Sequence, residues 1–152
     1  MNKRVFIIHG HNDLMKQIVA RTVEKIGLEA IILHEQPNMG QTIIEKFESQ
    51  AGDVGFAIVL LSSDDIGYSK EYKEENRKYR ARQNVVFEMG YFIGAMGRRR
   101  VIALFEKKDN FELPSDYNGV VYLQYDKNGK WQFELIKELK AANYQVDSNQ
   151  IL

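Results

Sequence analysis

Short apolar runs alternate with amphipathic segments along most of the chain. Each run has the length and composition of a strand buried on both faces, and polar or glycine-containing turns separate the runs from segments with helical spacing. The predicted strands are residues 5–8, 30–33, 56–61, 101–105 and 120–125, and the predicted helices are residues 14–26, 43–50, 85–96 and 133–139. This alternation predicts an α/β protein of the flavodoxin-like class, with a mainly parallel five-stranded sheet and helices on both faces.

The carboxyl ends of the strands are the expected position of a ligand site. In open parallel sheets, ligands bind in the crevice beyond those ends. The loops predicted to meet there are residues 9–13, 34–42 and 62–82. Residues 68–80, inside the third loop, are rich in lysine, glutamate and arginine and show no apolar period, so they are predicted to form a solvated loop.

Glu88 is the only charged residue in the apolar run at residues 85–96. We predict that Asn84 caps this helix and that Glu88 lies near its start, flanked by Val85 and Phe92 at the edge of the buried stripe. Carboxylates are rarely buried without a reason. Glu88 is therefore either a structural residue that accepts a helix-terminal or arginine hydrogen bond, or a catalytic or ligand-binding carboxylate in a cleft.

Candidate anion contacts lie on both sides of this cleft. Arg80 and Arg82 directly precede the helix and can hold a pyrophosphate, although both can also pair with the acidic residues at 71–75. The backbone amides around Gly10 are a second candidate, and we group His9 with Gly10 as substrate-binding residues. The spacing of His9 and His11 also suggests a metal site, but loop polarity explains this pair better, and no metal is expected.

Composition restricts the class of protein. A chain of 152 residues with 44% hydrophobic residues predicts one domain with a proper core. The formal net charge of zero argues against a non-specific nucleic-acid binder. The chain has no cysteine, which excludes disulfides and thiolate metal sites, and it has no signal peptide or membrane-spanning run. We therefore expect a cytoplasmic protein with no nucleic-acid or membrane partner.

Two other families with similar sheets lack support in the motifs. A response-regulator receiver needs an acidic pair after the first strand, where this chain has His9, Gly10 and His11, although Asp64 and Asp65 resemble its phosphoacceptor region. A Rossmann fingerprint and a phosphate loop are both absent, because Gly10 stands without the further glycines that those motifs require.

Several long motifs, in order, resemble the predicted nucleotide-binding TIR-like family. They are VFIIHGHN at residues 5–12, LHEQPNMGQTIIEKF at 33–47, VGFAIVLL at 54–61, ARQNVVFEMGYFIG at 81–94 and LPSDYNGVVY at 113–122. The resemblance extends over nearly all of residues 3–147. It implies a TIR domain at residues 1–147, with residues 148–152 as a tail or the start of a linker.

The resemblance also implies an activity and partners. Members resemble the TIR modules of bacterial anti-phage effectors, including modules fused to a STING domain that senses a cyclic dinucleotide. It implies cleavage of NAD+, which is the substrate, with no separate cofactor and with Glu88 as the catalytic glutamate. Asp116 lies in a shared motif and is a weak candidate for a site residue. The implied partners are NAD+, further copies bound through TIR–TIR contacts, and a cyclic-nucleotide-sensing domain or protein.

A loop that covers the site and joins neighbouring subunits is a further implication. This BB loop corresponds to Gln36, Pro37, Asn38, Met39 and Gly40. Two alternatives to the NAD+ glycohydrolase remain open at this point: a non-catalytic TIR interaction module, and an enzyme similar to nucleoside deoxyribosyltransferases, which use a glutamate nucleophile at a ribosyl carbon.

Overall fold

A computed structural model describes residues 2–35, 39–50, 55–115 and 118–152, with the side chain of Gln50 left out. The strands are β1 Arg4–Ile8, β2 Glu29–Ile32, β3 Ala57–Leu61, β4 Asp65–Gly67, β5 Lys78–Arg80, β6 Val101–Glu106 and β7 Val121–Tyr125. The α-helices are α1 Asp13–Lys25, α2 Ile43–Gln50, α3 Gln83–Met96 and α4 Lys130–Ala141. A five-stranded sheet has the order β2-β1-β3-β6-β7 and all its pairings are parallel. The predicted α/β fold with a parallel five-stranded sheet is confirmed.

Alternating side chains of the central strands supply two separate cores. Successive strand residues face opposite sides of a sheet, so Val5 and Ile7 of β1 pack under α1 and α4, while Phe6 and Ile8 pack under α2 and α3. On the second face, Phe47 meets the rings of Phe6 and Phe92 edge-on, at centroid distances of 5.0 and 4.6 Å. Helices thus cover both faces, and α3 packs on the face that it shares with α2.

The winding direction reverses between β1 and β3. From β1 the chain crosses to β2 on one side, and from β3 it crosses to β6 on the other side. Such a reversal separates the loops that follow the two neighbouring strands and opens a crevice at their carboxyl ends. His9 and Gly10 follow β1 and Ser62 follows β3, so the sequence-predicted rim lies at this switch point.

The prediction of a structureless loop at residues 68–80 is wrong in part. The end of this segment forms β5, which pairs antiparallel with β4. Asp65 lies opposite Arg80, and Gly67 lies opposite Lys78. The pairing is made by backbone hydrogen bonds while most side chains stay exposed, so no apolar period marks it in the sequence. Tyr79 also exchanges backbone hydrogen bonds with the segment at Asn110 and Glu112, which ties β5 to the chain after β6.

The last residues pack on the domain. Ser148–Ile151 forms a short 3-10 helix, and Ile151 contacts the core beneath α1 and α4. The division between a domain at 1–147 and a tail at 148–152 stays a prediction. No helix in the described ranges is long and apolar enough to cross a bilayer.

Candidate functional site

Glu88 lies on the edge of the buried stripe of α3. Val85, Met89 and Phe92 form that stripe and are at most 2% exposed, which holds the helix on the sheet. Glu88 is one turn after Val85 and one turn before Phe92, and its side chain is 9% exposed. Its Oε2 atom is buried and accepts no hydrogen bond from any described residue. A carboxylate oxygen in this condition is unusual in a folded protein.

The helix begins earlier than predicted. Its first residue is Gln83 and its N-cap is Arg82, whose side chain makes no capping hydrogen bond, so the prediction of Asn84 as N-cap is wrong. The chain enters α3 almost directly from β5, and Ala81 between them is buried in the core, which sets the start. Glu88 therefore lies beyond the free N–H groups of the first turn, and the helix dipole favours its charge less than expected.

His34 is held next to Glu88 by anchors on both sides. Leu33 is fully buried and its carbonyl accepts a hydrogen bond from Lys46 Nζ of α2 at 3.4 Å. Glu35 accepts a hydrogen bond from Lys16 Nζ of α1 at 2.9 Å. Between these anchors, His34 Nε2 lies 3.9 Å from Glu88 Oε2. That distance is too long for a hydrogen bond but permits an ion pair when the imidazole is protonated.

His9 completes the cluster from the end of β1. Its ring centroid is 4.9 Å from that of His34, and its Nδ1 donates a hydrogen bond to the Gly10 carbonyl at 2.8 Å. Its Nε2 is buried and has no hydrogen-bond partner among the described residues. Burial lowers the pKa of His9, and the charges of His34 and Lys16 lower it by smaller amounts. The hydrogen bond to Gly10 and the charge of Glu35 raise the pKa, but they do not offset the effect of burial. The imidazole is thus held towards its neutral form.

Gly10 is covered by a carboxylate of the protein itself. Asp64 Oδ2 accepts the His11 N–H at 3.0 Å, and Oδ1 accepts the Ser62 hydroxyl at 2.8 Å. A Cβ atom on Gly10 would overlap the Asp64 carboxylate, so only glycine permits this approach. One of the amides that we predicted to bind a substrate anion is therefore already bonded to Asp64, and the carboxylate occupies part of that position.

Arg80 does not approach Glu88. Its Nε lies 3.5 Å from Oε1 of Glu112, so the partner is Glu112 and not the acidic residues at 71–75. It lines a cavity of about 450 Å³ together with Phe87 and Pro114, and Glu88 is not part of that lining. Arg82 is half-buried at the start of α3. Contact of either arginine with a pyrophosphate stays a prediction.

Part of the predicted site is outside the structural description. These residues are Gln36, Pro37, Asn38 and Asp116. The remaining residues of the predicted BB loop are described: Met39 has a φ of 44° and is 87% exposed, and Gly40 has a φ of 74°. Met39 thus presents an apolar side chain to solvent, and the role of this loop in assembly stays a prediction.

The proximity of His34 to Glu88 was not predicted from the sequence. His34 and Glu88 are distant in sequence, and only the arrangement of the sheet brings them together. The available signal was position, since His34 directly follows a strand whose carboxyl end lies on the same rim as His9. Across the described ranges, no group of three or more histidine, aspartate or glutamate side chains is arranged to hold a metal ion.

Acidification is expected to destabilise the fold in part through His9. The unfolded chain has the ordinary pKa of 6.5 and the folded state a lower one, so between these values the unfolded state binds more protons. The stabilisation from neutral His9 is complete above pH 6.5 and is lost as the pH falls through the folded-state pKa. Urea unfolding from about pH 8 to about pH 5 should show a smaller loss of stability for His9→Phe than for the wild type. Identical losses would contradict this assignment.

Comparison with known proteins identifies the family. A sequence model described as CAP12/Pycsar effector protein, TIR domain, matches residues 4–127. The uncharacterized protein YuaY of Escherichia coli (strain K12) is 45% identical over 152 residues, which are 100% of this chain and 50% of that protein. Protein tirC of Dictyostelium discoideum is 41% identical over 150 residues, which are 93% of this chain and 72% of that protein.

A Pycsar effector protein is also similar to part of this chain. The Pycsar effector protein PaPycTIR of Pseudomonas aeruginosa is 38% identical over 85 residues, which are 56% of this chain and 26% of that protein. This chain thus spans half the length of YuaY, and the match to PaPycTIR covers about a quarter of that effector. The match of the family model extends over most of the sequence and of the described fold, and the chain belongs to the family of CAP12/Pycsar effector TIR domains.

Proposed function

We propose that this protein is an NAD+ glycohydrolase of anti-phage defence, which cleaves the bond between nicotinamide and ribose. The observation that carries the proposal is Glu88, whose buried Oε2 accepts no hydrogen bond from the described chain. A structural glutamate would be expected to have a helix amide or an arginine as its partner, and neither contacts this atom in the described residues. Membership of a TIR effector family supports the same conclusion.

The chemistry needs one carboxylate and no general acid. Nicotinamide leaves as a neutral base, so the leaving group takes no proton. The ribosyl carbon C1′ becomes positively charged as the bond breaks, and a nearby carboxylate stabilises that charge. Water then adds to C1′, and the overall reaction converts NAD+ and water into nicotinamide, ADP-ribose and a proton. Glu88 acts as an electrostatic stabiliser, as a partner of the ribose hydroxyls or as a nucleophile that forms a ribosyl ester.

Burial strengthens this interaction. A carboxylate surrounded by apolar side chains attracts a developing cation more strongly than one in water, because the local dielectric is low. The neighbours of Glu88 along α3 are Val85, Met89 and Phe92, all in the core. Leaving a buried carboxylate oxygen without a donor costs stability, which is expected where a site is prepared for a ligand.

Assembly is part of the proposal. We expect weak activity from dispersed protein and higher activity when copies are packed together, through contacts that include the BB loop and its exposed Met39. A cyclic-nucleotide-sensing domain or partner is proposed as the source of the assembly signal, which the match to the CAP12/Pycsar effector family supports. The protein is expected to act in the cytoplasm.

Ligand and product analysis tests the proposed substrate. The protein, held in clusters by a fused self-assembling tag, is incubated with NAD+ and separately with deoxynucleosides and a free base. We expect NAD+ to raise the melting temperature and nicotinamide to appear in the mixture. Exchange of bases between deoxynucleosides would instead indicate the transferase, and no melting shift and no product with either ligand would indicate a non-catalytic interaction module.

A further inference from the structure

Two residues with buried, unbonded hydrogen-bond acceptors, Glu88 and His9, lie beside His34. Glu88 Oε2 is 3.9 Å from His34 Nε2, and the His9 ring centroid is 4.9 Å from that of His34. Neither Glu88 Oε2 nor His9 Nε2 is hydrogen-bonded within the described part of the chain. Buried polar atoms in folded proteins nearly always have partners, so this pair marks a position where a ligand supplies the donors.

The hydrogen bond of His9 decides which of its nitrogens meets the ligand. The Gly10 carbonyl can only accept, so the Nδ1 atom that lies 2.8 Å from it carries the hydrogen. In the neutral imidazole, Nε2 then has a free lone pair and is an acceptor. Glu88 Oε2 is an acceptor whenever the carboxylate is ionised, so the two groups cannot satisfy each other and both need donors from a third molecule.

We propose that Glu88 Oε2 and His9 Nε2 each accept a hydrogen bond from one of the neighbouring 2′- and 3′-hydroxyls of the nicotinamide ribose, and that His9 makes the site select intact ribose over a sugar that lacks the hydroxyl it bonds. The inference rests on the proposed NAD+ glycohydrolase function. Glu88 and His9 both lie beside His34, and the adjacent hydroxyls of one sugar can supply a donor to each. The nicotinamide ribose is the sugar concerned, because Glu88 must lie close to the carbon where the charge develops.

This arrangement gives His9 a role separate from that of Glu88. A carboxylate that accepts the hydrogen of the 2′-hydroxyl lies beside C1′, and such bonds strengthen as the ring becomes cationic. His9 holds the neighbouring hydroxyl and thereby fixes the ring in the orientation that Glu88 requires. A polar site that bonds a substrate hydroxyl discriminates against an analogue without it, because its own buried group is then left unpaired.

Kinetics with modified substrates test the assignment. His9→Phe keeps a ring against His34 and removes the Nε2 acceptor. The kcat/KM values are measured for NAD+ and for analogues that lack the 2′- or the 3′-hydroxyl of the nicotinamide ribose, with wild type and variant. The NAD+-to-analogue ratio for one of the two analogues should fall by about tenfold in His9→Phe, whereas the other ratio should be unchanged. Comparing ratios between the two proteins cancels the intrinsic reactivity of each analogue.

Two further variants sharpen the result. The side-chain amide of His9→Gln can place an oxygen near the position of Nε2, so it should restore part of the discrimination. His11→Ala is the matched control, because this exposed histidine is on the same loop and bonds to Asp64 only through its backbone N–H. It should keep all the wild-type ratios. If circular dichroism shows that His9→Phe is unfolded, His9→Leu, which also lacks the Nε2 acceptor, takes its place, and the same fall in one of the two ratios is required of it.

Unchanged ratios for both analogues in His9→Phe would overturn the inference, since His9 would then contact neither hydroxyl. A wild-type protein that cleaves none of the three compounds would instead overturn the proposed function. In that case the melting shifts that NAD+ and the two analogues produce in wild type and His9→Phe provide the same comparison for binding. Equal shifts in the two proteins would show that His9 does not bond the ribose.

Discussion

Glu88→Gln is expected to reduce nicotinamide release by about 10²- to 10³-fold, because glutamine has the same shape but no charge to place beside the ribosyl cation. Clustered wild type and clustered variant should be compared at saturating NAD+. Glu24→Gln is the matched control, since Glu24 is an exposed glutamate on α1, away from the rim. Equal turnover by wild type and Glu88→Gln would remove Glu88 from the mechanism.

The same substitution should leave the free energy of unfolding within about 1 kcal/mol of the wild-type value, or raise it. Oε2 of Glu88 has no hydrogen-bond donor among the described residues, so replacing the charged group with a neutral amide breaks no hydrogen bond to this atom. A structural glutamate paired with a buried cation would behave differently, with an expected loss of about 3–5 kcal/mol. Urea unfolding curves measure this, and a loss of that size would favour the structural interpretation.

Gly10→Ala is expected to destabilise the protein by about 3 kcal/mol. The added methyl group would overlap the Asp64 carboxylate and displace it from the Ser62 hydroxyl and the His11 N–H. The turn after β1 would then shift, and His9 with it, so NAD+ cleavage should fall as well. Denaturant unfolding measures the stability change directly.

A double substitution shows whether the overlap is the cause. In an Asp64→Ala background the carboxylate is gone, so Gly10→Ala should cost less than about 1 kcal/mol there. Gly94→Ala is the control, because Gly94 is exposed within α3 and an added Cβ meets nothing within 4 Å. That change should stabilise the helix by up to about 1 kcal/mol. An undiminished cost of Gly10→Ala without the Asp64 carboxylate would contradict the explanation.

The five strands of the sheet and the helices between them were predictable, because buried residues produce a recognisable pattern of apolar positions in the sequence. Strands covered on both faces read as continuous apolar runs, and helix ends carry polar or glycine residues. Asn12 accepts a hydrogen bond from Met15 N as the cap of α1, and Gly27 has a φ of 93° at its end. The position of Glu88 on a buried stripe follows from the same local spacing.

Contacts between distant segments were not predictable in this way. The approach of His34 to Glu88 depends on how the 3-10 turn Leu33–Glu35 after β2 is anchored, here by Lys16 and Lys46. The pairing of β4 with β5 relies on backbone bonds between exposed residues, which leave no apolar pattern. The contact of the Asp64 carboxylate with Gly10 likewise joins two loops, and no spacing of residues within either loop predicts it.

Turnover by the wild-type protein tests most directly the proposal that this TIR domain cleaves NAD+ with its buried carboxylate. Nicotinamide release is followed over time at saturating NAD+, with the protein dispersed and with the protein clustered. We predict many turnovers per chain in clusters and far fewer in solution. NAD+ that raises the melting temperature of the clustered protein yet stays intact would contradict the claim.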